Sequence, residues 1–158
     1  ELLCEVADRL EAAAGSDEVV RVGGDEFAIV VSHAEGADSL ARLAEQIIAR
    51  LSAPYSIGEA QLNVGATIGI AAAPDHGMTQ EALSRSADLA LYGAKAAGRG
   101  GWKFFEPWMA DAAAAQRQLE SDLRRALPDG ELQLAYQPIV DSKDHRVLAR
   151  EALLRWSH

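Results

Sequence analysis

The stretch Arg-Val-Gly-Gly-Asp-Glu-Phe, at residues 21–27, constrains the fold of this chain more than any other feature. Its two glycines and two acids, residues 23–26, lie between two largely apolar runs, at residues 19–22 and 27–31. Two glycines between β-branched runs predict a β-hairpin, because glycine adopts the positive φ that a tight turn demands. We therefore expect an antiparallel strand pair with Asp25 and Glu26 exposed at its tip.

The two acids at this turn permit two interpretations. Charged residues on an exposed hairpin tip can serve solubility and need no ligand. A turn built only for folding, however, needs the glycines and not two adjacent carboxylates, whose oxygens are the ligands of hard cations. The glycines also allow a ligand's phosphates or base to approach the backbone. The spacing by itself leaves both interpretations open.

The rest of the chain alternates between helical and strand-like patterns, which predicts an α/β fold. Helices are predicted over 2–14, 37–51, 80–97 and 108–127, with Thr79 as a capping residue, and strands over 55–72, 102–105, 131–140 and 146–155. We expect Cys4 to be a core thiol and His76 to be a solvated turn residue.

Pro107 marks the predicted boundary between two units, 1–106 and 107–158. The length of 158 residues suits one domain with a real core, or one domain plus part of another. Helical spacing starts at Leu2 without a preceding cap, so we expect the chain to begin inside a domain.

Composition excludes several functional classes. A net charge of −9 and a pI near 4.8 argue against a nucleic-acid surface and against a basic membrane-binding face, although a nucleotide needs only a local pocket of cations. One cysteine and four well-separated histidines offer neither a disulfide nor a cysteine–histidine metal site. These features predict a cytoplasmic location, with membrane anchoring of the whole protein left open.

The central stretch resembles the signature of the GGDEF family, the diguanylate cyclases. Residues 87–99, Ala-Asp-Leu-Ala-Leu-Tyr-Gly-Ala-Lys-Ala-Ala-Gly-Arg, resemble the second signature of that family. Cations in a last helical turn also suit the helix dipole, so Lys95 and Arg99 would be unremarkable without the first signature. The two signatures in this order extend the resemblance over residues 1–106.

The resemblance implies a nucleotidyl cyclase or polymerase-palm sheet with flanking helices, the hairpin lying at its active edge. Two such domains, as a homodimer, each bring one GTP, and the product is cyclic di-GMP. Asp25 would then be a catalytic metal ligand for Mg²⁺ or Mn²⁺, and Glu26 would assist the metal or the attacking hydroxyl. Gly23 and Gly24 would lie against the nucleotide. Lys95 and Arg99 would bind its phosphates.

Two departures from the family pattern carry expectations. The family's opening strand, with another metal-binding aspartate and guanine-binding residues, is not within residues 1–158, so we expect this chain by itself to bind GTP poorly and not to cyclise it. The family's product-inhibition motif, Arg-x-x-Asp, corresponds here to residues 14–17, where Asp17 is present but Ala14 replaces the arginine. We therefore predict no product inhibition of this type.

The second unit resembles the start of an EAL domain, the cyclic di-GMP phosphodiesterase family. The matching segments are 136–141, Tyr-Gln-Pro-Ile-Val-Asp, and 151–156, Glu-Ala-Leu-Leu-Arg-Trp. Glu151 and Arg155 share one face of an extended strand, about 13 Å apart, a spacing that a surface ion pair would also explain. The resemblance implies the first elements of a TIM-like barrel, with Glu151 as a metal ligand and Arg155 and Gln137 contacting the substrate cyclic di-GMP. We expect no phosphodiesterase activity from this portion.

These observations predict a cyclic di-GMP signalling protein in which a GTP-condensing GGDEF domain precedes an EAL domain. A catalytically silent, GTP-binding GGDEF domain that regulates an EAL phosphodiesterase is the alternative. The sequence determines neither the sensory input nor the net direction of turnover.

Overall fold

The computed structural model describes all residues from Glu1 to His158. Its elements follow in chain order: α1 (Leu2–Ala14), β1 (Glu18–Gly23), β2 (Glu26–Val30), α2 (Ala37–Leu51), β3 (Tyr55–Ile57), β4 (Ala60–Leu62), β5 (Ile68–Ile70), α3 (Gln80–Ala96), β6 (Trp102–Phe104), α4 (Pro107–Ala126), β7 (Leu132–Val140) and β8 (Val147–Trp156). All four helices match the predicted bounds to within one residue at each end. The chain divides into two compact units, Glu1–Ala110 and Asp111–His158.

The core of the first unit lies where α1 and α2 meet one face of the β1–β2 hairpin. Leu10, Ile47 and Leu51 are buried there, and the partly buried hydrophobic residues packed on them include Val19, Phe27 and Ile29. Val19 and Ile29 are directly opposite each other in the hairpin. Because successive strand residues point to opposite faces, this packing directs Glu26, next to Phe27, away from the core.

The predicted strand over 55–72 is wrong in its continuity. The segment contains a short hairpin, β3–β4, followed by an irregular stretch and then β5, which pairs in parallel with β6. Gly58 adopts a φ of 61°, which turns the chain back on itself after three residues. The alternating pattern was therefore a correct sign of extended backbone, but it did not reveal the turn.

The third helix, α3, begins as the sequence predicts. The Thr79 hydroxyl accepts a hydrogen bond from the Ala82 N–H at 3.2 Å, which satisfies one of the donors left free at the first turn. His76, just before this helix, is not the solvated residue that its turn position suggested. Its Nδ1 accepts from the Ala72 N–H at 3.0 Å, and its ring lies edge-on to Phe105.

The second unit pairs β7 with β8 in an antiparallel ladder, which follows the C-terminal part of α4. Trp156 donates from Nε1 to Glu131 at 2.9 Å, which ties the end of β8 to the residue just before β7. On α4, hydrogen bonds from Gln118 and then Arg125 hold the pKa of Asp122 below its ordinary value.

The strands pair as four two-stranded sheets, and no closed barrel forms. This arrangement is consistent with a GGDEF-type α/β fold followed by an incomplete EAL portion. No helix combines the length and apolar character needed to cross a bilayer.

Candidate functional site

The hairpin tip adopts the geometry that its glycines predict. Gly23 pairs with Glu26, so that Gly24 and Asp25 form the turn, and Gly24 takes a φ of 53°. A side chain at Gly23 would meet no atom within 4 Å, which leaves the backbone there open to a ligand. Asp25 and Glu26 are both exposed. The carboxylates therefore stand free of the protein core, as the sequence predicts.

Arg21 braces this tip from within the hairpin. Its Nε and Nη2 both donate to the Gly24 carbonyl oxygen, at 3.1 and 2.7 Å. Two N–H groups that converge on one oxygen hold the position of that carbonyl, because the planar guanidinium keeps its donors in a rigid arrangement. The Gly24 carbonyl belongs to the peptide that leads into Asp25, so Arg21 also restrains the backbone of the first carboxylate.

Lys95 connects the two sequence signatures in space. Its Nζ lies 3.7 Å from Glu26 Oε1, although the two residues are far apart in sequence. Lys95 stands in the last turn of α3, while Glu26 opens β2 on the hairpin face away from the core. About half of each side chain is exposed, so the pair is accessible to a ligand carrying its own charge.

Arg99 lies four residues beyond Lys95, in a segment containing Gly98, Gly100 and Gly101. Its φ of 60° is in the left-handed region, which is uncommon for a residue with a side chain. The Arg99 side chain is exposed and has no hydrogen-bond or ion-pair partner within the chain. It is therefore free to bind an external anion.

The donor chemistry at the tip fits a magnesium-type cation in one specific way. No group of three or more potential ligand side chains gathers anywhere in the structure, so the chain offers no all-protein cage. Mg²⁺ is commonly held by one or two carboxylates together with the phosphates of its substrate. Asp25 and Glu26 supply the carboxylates. Lys95, beside Glu26, supplies a positive charge that suits the phosphates of a substrate.

The predicted residues of the second unit share one face of the β7–β8 ladder. Gln137 is directly opposite Glu151, and Gln133 is directly opposite Arg155. Glu151 and Arg155 are both exposed and make no ion pair with each other; Arg155 donates to the adjacent Leu154 carbonyl at 3.2 Å. The ladder register thus brings Gln137 and Glu151 together, although fourteen residues of sequence separate them.

Sequence reasoning missed two residues that shape the first site. Arg21 was included in the hairpin stretch but given no role, and Thr67 lay within the predicted strand over 55–72 without a role of its own. The Thr67 hydroxyl accepts a hydrogen bond from the Gly100 N–H at 3.1 Å. The position of Arg21 three residues before Gly24 was a local signal, whereas nothing in the sequence indicates that Thr67 meets a residue 33 positions away.

Cys4 is exposed, so its prediction as a core thiol is wrong. It lines a groove of about 280 Å³ beside the hairpin, together with Ala7, Val19 and Phe27. The helical periodicity placed Cys4 near other apolar residues of α1, but its side chain lines this open groove and is not buried.

Comparison with known families gives two matches. The family described as diguanylate cyclase, GGDEF domain, matches residues 1–101, and the EAL domain matches residues 120–158. Together the matches follow the order of the two units along the chain.

Curated relatives align with nearly the whole of this chain. The bifunctional diguanylate cyclase/cyclic di-GMP phosphodiesterase MucR of Pseudomonas aeruginosa is 44% identical over 158 residues, covering 99% of this chain and 23% of MucR. The cyclic di-GMP phosphodiesterase PdeR of Escherichia coli is 35% identical over 157 residues, covering 99% of this chain and 23% of PdeR. The chain thus spans about a quarter of the length of these relatives.

Solved structures share the fold of the first unit. The GGDEF domain of PA1120 from P. aeruginosa has a TM-score of 0.65 at 35% identity, covering 72% of this chain and 66% of that one. The active GGEEF domain of a diguanylate cyclase from Vibrio cholerae has a TM-score of 0.56 at 26% identity, covering 66% of this chain and 67% of that one.

Proposed function

Because this chain belongs to the GGDEF diguanylate cyclase family and continues into the start of an EAL domain, we propose that its first unit condenses two GTP molecules into cyclic di-GMP. We assign residues 1–106 to the cyclase domain, and residues 107–158 to a connecting helix and the start of the phosphodiesterase domain. The observation that carries the proposal is the 3.7 Å contact between Lys95 Nζ and Glu26 Oε1.

In this proposal the contact joins Lys95, assigned to phosphate binding, to Glu26, assigned to metal binding. Lys95 and Arg99 bind the triphosphate, the first as a point charge and the second as a bidentate fork. Gly23 and Gly24 leave room for the nucleotide against the hairpin backbone. Asp25 and Glu26 would hold Mg²⁺ or Mn²⁺, which when bound would neutralise charge on the phosphoryl group under attack. Each cyclase domain holds one GTP, so the reaction requires a homodimer.

The experiment that tests this proposal is incubation of the whole protein with GTP and Mg²⁺, with cyclic di-GMP measured by mass spectrometry. Asp25→Asn removes one charge from the metal site, and we expect the rate to fall by about 100-fold or more. Glu59→Gln is the matched control, since Glu59 is an exposed acid in the turn of the β3–β4 hairpin and should leave the rate unchanged. Equal rates for the Asp25 variant and the wild type would refute the assignment.

A silent, GTP-binding regulatory role is the second candidate, and the relatives named as phosphodiesterases favour it. In that case the whole protein would bind GTP without making cyclic di-GMP, and Asp25→Asn would alter its rate of cyclic di-GMP hydrolysis. Hydrolysis itself is assigned to the EAL domain, with Glu151 as a metal ligand and with Gln137 and Arg155 at the substrate. Glu151→Gln should abolish hydrolysis in either case.

A further inference from the structure

The segment that carries Arg99 is not rigid by itself. Three of its four residues, from Gly98 to Gly101, are glycines, which have more conformational freedom to lose than any other residue. Arg99 itself is held at a φ of 60°. A residue with a side chain persists in that region only when its surroundings impose it. The segment must therefore be restrained by contacts outside itself.

Those contacts come from two sides. On the helix side, Arg99 N–H donates to the Ala94 carbonyl at 3.3 Å, which ends α3. On the strand side, Ile68 N–H donates to the Gly101 carbonyl at 2.9 Å, and Gly100 N–H donates to the Thr67 hydroxyl at 3.1 Å. The Thr67 bond is the one side-chain hydrogen bond that the segment makes, and it acts on the residue directly after Arg99.

We propose that Thr67 is a positioning residue that holds Arg99 ready for the phosphates of the bound nucleotide. This inference rests on the proposed function, in which Arg99 binds GTP. The Thr67 oxygen limits rotation of the peptide that follows Arg99, so less conformational freedom is lost when the guanidinium closes on its ligand. The hydroxyl group is the feature required, because the contact uses its oxygen as an acceptor.

Substitution at Thr67 separates the hydroxyl from the shape of the side chain. Thr67→Val keeps the branched shape and removes the acceptor, whereas Thr67→Ser keeps the acceptor. The probe is the GTP analogue with a methylene group between the α and β phosphorus atoms, because cyclisation breaks the bond at that position and the analogue cannot turn over. We expect Thr67→Val in the whole protein to bind it about fivefold more weakly, and Thr67→Ser to bind it within about twofold of the wild type.

A double-mutant cycle tests whether Thr67 acts through Arg99. In an Arg99→Ala background the guanidinium is gone, so Thr67→Val should cause no further loss of affinity. An equal loss in both backgrounds would mean a general structural effect and would overturn the inference. Unchanged affinity of Thr67→Val in the wild-type background would overturn it as well.

The same measurements distinguish this inference from the proposed function. A wild type that binds the analogue but makes no cyclic di-GMP from GTP refutes the cyclase assignment, while the cycle still decides the role of Thr67. A wild type that does not bind the analogue overturns both.

Discussion

At the scale of single residues, Gly69 shows that close packing of a neighbouring helix, rather than the backbone conformation of the strand, can require a glycine. A Cβ at Gly69 would lie 2.1 Å from the Ala87 carbonyl oxygen and 2.3 Å from the Leu91 nitrogen. Both atoms belong to the backbone of α3, which cannot move aside as a side-chain end could. The absent side chain therefore lets α3, the helix that carries Lys95, pack directly on β5.

We expect Gly69→Ala to lower the free energy of unfolding by about 3 kcal/mol, because the methyl group forces the helix off the strand. Urea unfolding followed by circular dichroism measures the change. Gly65→Ala is the control, since a Cβ there meets no atom within 4 Å, and it should shift stability by less than about 0.5 kcal/mol. Similar stabilities for the two variants would contradict the packing described here.

At the scale of secondary-structure elements, two arginines join α1 to α2 and to the segment just after it by binding backbone carbonyls. Arg9 on α1 donates to the carbonyls of Arg50, Ala53 and Pro54 at 3.0, 2.6 and 2.7 Å. Arg50 on α2 donates in return to the Ala12 carbonyl at 2.8 Å. The Arg50 and Ala12 carbonyls lie in the last turns of their helices, where a cation also meets the negative end of the helix dipole.

Arg9 also covers the most deeply buried large side chain of the first unit. Its guanidinium carbon lies 3.6 Å from the ring centroid of Tyr55, which is 1% exposed. The flat guanidinium can stack on the ring and hydrogen-bond in its own plane at the same time. The α1–α2 pair, on which the hairpin packs, therefore depends on guanidinium geometry as well as on charge.

We expect Arg9→Lys to lower the free energy of unfolding by about 2 kcal/mol, because an ammonium group keeps the charge but reaches fewer of the three carbonyls. Thermal and urea unfolding of the chain provide the measurement. Arg42→Lys on the same helix pair is the control, since Arg42 is exposed and makes no hydrogen bond or ion pair. If both variants unfold alike, the positive charge at residue 9 is enough for stability, and the stacked guanidinium geometry contributes nothing to the free energy of unfolding.

At the scale of the whole molecule, Asp17 bears on regulation of the proposed cyclase. The resemblance implies that Asp17 corresponds to the aspartate of an inhibitory motif whose arginine is Ala14 here, and its Oδ1 accepts from the Ser32 N–H at 3.2 Å. This bond closes the base of the β1–β2 hairpin, so Asp17 has a structural partner. The structural use of Asp17 and the absent cation both favour a cyclase without this mode of feedback.

We predict that added cyclic di-GMP leaves the initial rate of GTP condensation by the whole protein unchanged at concentrations well above those of the enzyme. A clamp on guanine and phosphate needs the cation that Ala14 cannot supply. Inhibition by cyclic di-GMP that Asp17→Asn relieves would prove the prediction wrong. Asparagine is chosen because its side-chain oxygen can still accept from Ser32, so the hairpin base stays closed.

The sequence anticipated those parts of the structure that local rules control. The hairpin turn at Gly24 and Asp25, the cap at Thr79 and all four helices occur where glycine conformation, side-chain capping and apolar periodicity predict them. The prediction of one continuous strand over 55–72 was wrong, because a turn at Gly58 interrupts an otherwise alternating pattern.

Contacts between residues far apart in the sequence could be identified only from the tertiary structure. The sequence by itself determined the α/β class, the order of the two domains and the residue types available for a nucleotide site, because these follow from neighbours along the chain. Only folding brought Lys95 to Glu26, Thr67 to Gly100 and Arg9 to the end of α2, and only folding left Cys4 exposed. Such contacts depend on which faces of separate elements pack together, and that is decided by the summed burial of many side chains rather than by any local pattern.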